Sequence, residues 1–157
     1  YTELLKLYKT TSSSDEKLSI TAAMTSFEDA KQHERVLKLI PSGDLKFQDI
    51  PYWIAYSFMN RHSRQATWQW MQEHWPWMKK NMGTDLSFSR FPLYAARTFA
   101  DEKFLQEYTA FFTANMEPMI QRTYAQGLEV VQTHAAWRER DMHTALQWFE
   151  RKSTSNS

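Results

Sequence analysis

The sequence predicts an all-α fold, and three observations carry that prediction. Glycine occurs 3 times and proline 5 times in 157 residues, about 5% together where soluble domains average ~12%. That is too few turn residues for a β-sandwich or barrel. Apolar residues recur at i, i+3, i+4 and i+7 through most of the chain, the period of helices that bury one face. Nowhere does a strand-like alternation bounded by turn residues persist.

Each element can be read in turn. Ser13 and Glu16 have the spacing of a capping box, which satisfies the orphan amides of a helix start. Ile20, Ala23, Met24 and Phe27 form the stripe that follows. After the turn Pro41-Ser42-Gly43-Asp44, the stripe resumes as Ile50, Trp53, Ile54, Ser57 and Phe58, with Pro51 where a first helical turn tolerates it. Trp68, Met71, Trp75, Met78 and Met82 follow at alternating steps of three and four. Pro76 interrupts that run and predicts a kink or two abutting helices, and Gly83 predicts the stop.

The second half continues the pattern. Phe88, Phe91, Ala95 and Phe99 form one stripe, and Phe104, Leu105, Tyr108, Phe111 and Phe112 the next. A final helix pair is expected from Ile120, Tyr124, Leu128, Val131 and Ala135, then from Ala145, Leu146 and Phe149. Short connections between amphipathic helices imply antiparallel neighbours. The expected architecture is therefore antiparallel helix pairs stacked as a curved solenoid of the HEAT or armadillo kind, whose period of roughly 40 residues allows about four pairs. One domain is expected over residues 1–150, with 151–157 a disordered tail.

Bulk properties narrow the partners. The net charge of +1 gives no electrostatic reason to expect nucleic acid or an acidic membrane. Without cysteine there is no disulfide framework, no thiolate nucleophile and no cysteine zinc site, which suits a cytoplasmic location. No apolar run reaches the ~18 residues of a membrane span. The chain opens on Tyr1 rather than Met, which suggests a piece of a longer polypeptide.

A search for chemistry finds no catalytic constellation. His33-Glu34 begins like the zinc-peptidase motif His-Glu-x-x-His, in which histidines at i and i+4 grip one metal, but the fifth position is Leu37. The five histidines lack partners at i+3 or i+4 and read as solvated helix residues. The acidic pairs Asp15-Glu16, Glu28-Asp29 and Asp101-Glu102 sit at predicted helix starts, where they complement the dipole. Trp68 and Trp75 read as core, whereas Trp70 and Trp77, off that stripe, need a second neighbour or an interface.

The order of motifs then becomes informative. Gln48-Asp49 is followed by Asn60 and Arg64, by Ala66-Thr67-Trp68-Gln69-Trp70 and by His74-Trp75. Then come Phe111-Phe112, Arg122-Thr123, Gln126, Glu129, Ala136-Trp137 and Arg140-Asp141. This resembles the C-terminal helical domain of the aminopeptidase N family of zinc aminopeptidases, in the branch of the puromycin-sensitive and endoplasmic-reticulum enzymes. The likeness runs from about Tyr1 to Phe149. Where the family often carries Arg before Gln-Asp this chain has Leu45-Lys46-Phe47, and Arg61-His62-Ser63 lacks the Gly common before Arg64.

The resemblance implies a non-catalytic cap that encloses the peptide chamber of an upstream catalytic domain. Zinc would lie in that domain, with no cofactor in this chain. The implied partners are that domain and, indirectly, the peptide substrate. A stand-alone helical-repeat scaffold for a protein partner is the alternative reading. No catalytic or metal-ligating residue is assigned. Gln48, Asp49, Arg64, Trp68, Trp75, Arg122, Gln126 and Trp137 are expected to be structural. Among them Asp49 should cap a helix, Trp68, Trp75 and Trp137 should be buried anchors, and Arg122 with Gln126 should form a polar bridge between helices.

Overall fold

The computed structural model describes the backbone of residues 1–154 and the side chains of residues 1–151. Those residues form eight α-helices: α1 (Thr2–Thr10), α2 (Ser14–Thr25), α3 (Ala30–Leu39), α4 (Ile50–Met59), α5 (Arg64–Met82), α6 (Phe91–Ala96), α7 (Glu102–Ala114) and α8 (Gln121–Thr154). Three short 3-10 turns link them, at Ile40–Ser42, Phe47–Asp49 and Leu86–Arg90. No strand occurs among the described residues, so the all-α fold is established.

Local chemistry sets the helix starts. Ser13 accepts from the Glu16 amide at 3.3 Å, Asp29 from the Gln32 amide at 3.0 Å and Asp101 from the Phe104 amide at 2.9 Å. Each satisfies an amide that the first turn cannot pair internally. The Glu16 carboxylate does not reach back to the Ser13 amide; it accepts from the Thr11 hydroxyl, which itself accepts from that amide. Gly43, at φ 86°, closes the turn after α3 in the left-handed region that a Cβ disfavours.

Packing follows two kinds of neighbour. Helices consecutive in sequence meet as α1 with α2, α4 with α5 and α7 with α8. Alternate helices also lie side by side, α2 with α4, α4 with α6, α6 with α8 and α3 with α5. One apolar core threads all of them, from Tyr8 and Met24 through Trp53, Phe58, Trp68 and Met78 to Tyr108, Phe112 and Val131.

Several expectations change. Helix α5 runs through Pro76 as a single helix and not as two abutting ones, although proline leaves the Gln72 carbonyl without its helical amide. On α2 the buried residues are Lys17, Thr21, Met24 and Thr25; of the expected stripe Met24 is buried, Ile20 and Phe27 pack partly buried against the core, and Ala23 is exposed. Thr21 and Thr25 return their hydroxyls to the Lys17 and Thr21 carbonyls, each at 2.8 Å, and the Lys17 ammonium lies 4.5 Å from the Tyr8 ring centre. These contacts let polar side chains occupy the interior.

The other changes concern the end of the chain. The expected final pair is a single long helix, α8, whose described side chains from Ala136 onward are exposed. That helix continues to Thr154, into the segment expected as tail, and residues 155–157 lie outside the described residues. Trp137, expected to be buried, is 62% exposed because α6 and α7 end below it.

Candidate functional surfaces

Several of the family-ordered residues brace one segment against another. Asn60, just past α4, donates its side-chain amide to the Thr25 and Phe27 carbonyls, both at 2.8 Å, and accepts from the His62 amide at 2.9 Å. It thereby holds the end of α2 and the α2–α3 linker. Arg64, in the first turn of α5, donates a guanidinium N–H to the Thr98 carbonyl beyond α6. The Trp68 indole donates to Glu107 on α7 at 3.1 Å and is ringed by Phe104, Tyr108, Phe111 and Phe112, at centroid distances of 5.1 to 6.4 Å. Trp75 packs on Phe88, Phe111 and Phe112.

Asp49 does not cap α4 through its side chain. Its carboxylate accepts from the Tyr8 hydroxyl at 2.6 Å, joining two segments 41 positions apart. Burial, then the bond to Asp49, push the Tyr8 phenol up to about 12. Gln48 lies exposed in the preceding 3-10 turn. Arg122 and Gln126 are both exposed on α8; the tie to a neighbouring segment there is Thr123, whose hydroxyl donates to the Ser89 carbonyl.

His33 is not solvated. It is 4% exposed, and its Nε2 donates to the Phe27 carbonyl, since both amide hydrogens of Asn60 are already committed to carbonyls. Together with His62, His74, Leu37 and Trp70 it lines a groove between α3 and α5. Trp70 stacks on His74 at a centroid distance of 4.6 Å, interplanar angle 15°. Its second neighbour is α3, which α5 packs against. No three His, Asp or Glu side chains converge among the described residues. The Nε2 of His33 is spent on a carbonyl, and Leu37 stands where the second histidine of His-Glu-x-x-His would be.

The least finished surface is at α8. Its first half is buried on α6 and α7, where Gly127 makes the approach possible: a Cβ there would overlap the Tyr108 hydroxyl and lie 3.1 Å from the Ala96 Cβ. Val131 is the last fully buried side chain. His134 Nδ1, 3.1 Å from the Phe99 carbonyl, is the last hydrogen bond between α8 and the preceding loop among the described residues. Beyond it, a groove of about 760 Å³ opens between α8 and the start of α7, with Ala100, Leu105, Ala135, Ala136, Met142 and Leu146 along its walls.

Over residues 1–133 the sequence matches the family described as the ERAP1-like C-terminal domain. The chain belongs to that family. Among curated relatives, this ERAP1-like C-terminal domain is 30% identical over 139 residues to aminopeptidase M1 of Arabidopsis thaliana, covering 88% of the chain and 16% of the relative. It is 28% identical over 144 residues to the alanine/arginine aminopeptidase of Saccharomyces cerevisiae, covering 90% of the chain and 17% of the relative. With aminopeptidase N of Lactobacillus delbrueckii subsp. lactis it shares 28% over 119 residues, 75% of the chain and 14% of the relative. The chain thus spans about a sixth of the length of these relatives. No helix among the described residues is long and apolar enough to cross a membrane.

The sequence reading missed Asn60 as a cross-brace and the burial of His33. Only local spacing was visible there, and these bonds join positions up to 35 apart. A lone polar residue between a helix stop and the next helix start was the available signal.

Proposed function

We propose that this ERAP1-like C-terminal domain is the non-catalytic helical cap of a zinc-dependent aminopeptidase, which removes N-terminal residues from peptides. The carrying observation is the family match over residues 1–133 in a chain one-sixth as long as relatives named as aminopeptidases. Such a chain has one role to offer, that of a stacked-helix wall closing the peptide chamber of a catalytic domain earlier in the same polypeptide. Residues 1–150 act as one domain. Zinc, bound in the catalytic domain, would supply Lewis-acid polarisation of the scissile carbonyl.

The braces support this reading. Tyr8–Asp49, Asn60–Thr25, Arg64–Thr98 and Trp68–Glu107 spend their polar groups inside the fold, so Asp49, Arg64 and Trp68 act structurally. Trp75 does so by packing. A cap held this way keeps its shape when peptides enter and leave. The cysteine-free sequence favours a cytoplasmic parent.

The test is expression of the polypeptide with its preceding coding sequence. It should show zinc-dependent, bestatin-sensitive release of N-terminal residues from aminoacyl reporters, whereas residues 1–157 alone should release none. Hydrolysis by residues 1–157 themselves, or a parent polypeptide with no peptidase portion, would overturn the proposal.

A further inference from the structure

We draw no further inference here: the strongest candidate, the groove between α3 and α5 floored by His33, Leu37 and Trp70, already spends His33, His74 and Glu34 on partners within the fold, and nothing in the structure shows what covers it.

Discussion

Helix α8 is two regions in one element. From Gln121 to Ala135 it packs on α6 and α7, with Val131 and Gly127 buried and Tyr124 stacked on Tyr108 at 5.7 Å. From Ala136 onward every described side chain is exposed. The amphipathic pattern barely changes across that boundary. Periodicity tells which face of a helix is apolar; it does not tell whether a neighbour is there to cover it. Burial, and with it stability, depends on the neighbour.

The largest test of this contrast sets two tryptophans against each other. Trp68→Ala removes a side chain with no exposed surface, four aromatic contacts and the bond to Glu107. It should cost about 3 to 5 kcal/mol in denaturant unfolding. Trp137→Ala, at the same residue type but on the exposed half of α8, should change stability by less than about 0.5 kcal/mol. A comparable loss at both positions would erase the distinction.

Gly127→Ala sharpens the boundary from the packed side. The added methyl overlaps the Tyr108 hydroxyl, so either α8 or the ring must move, and the expected loss is about 1 to 3 kcal/mol. Any gain in helix propensity, at most about 1 kcal/mol, should not offset it. Asn60→Ala, far from α8, strips two carbonyls at the end of α2 of their partner. It should cost about 1 to 3 kcal/mol, read by the midpoint of urea unfolding.

A smaller effect appears in alkali. Burial and the bond to Asp49 raise Tyr8 to about 12, and burial also raises Tyr108. A raised phenol means that the folded state favours the neutral form. That contribution is fully present below the ordinary tyrosine value near 10 and is lost as pH climbs from about 10 toward 12. Tyrosinate absorbance should therefore show a late-ionising subset among the 7 tyrosines, coincident with unfolding. Asp49→Asn should move the Tyr8 step downward.

Much of this fold was legible in the sequence. The Ser13 cap depends on groups three residues apart, the helix starts at Asp29 and Asp101 show as acidic pairs, and the Trp68–Trp75 stripe depends on one helix alone, so local spacing was enough. What local spacing could not show was contact. His33 was read as solvated because helical spacing does not reveal that its Nε2 meets the Phe27 carbonyl in the linker between α2 and α3. The burial of Thr21 and Thr25 on α2 was not foreseen, because threonines that bond carbonyls of their own helix bury as readily as apolar residues. Trp137 was read as an anchor because its helix looks the same on both sides of the boundary. The braces, Asn60 and Arg64, were noticed in their order but not in their targets, which lie more than 30 positions away.

The most direct test of the two-region account is a truncation after residue 136. It should be compared with the whole chain by denaturant unfolding, dilute enough that both are monomeric. If the packed core ends near Ala135, the two proteins will unfold within about 0.5 kcal/mol of each other. A loss of several kcal/mol on removing residues 137–157 would show that the second half of α8 is part of the folded core, and would contradict the account.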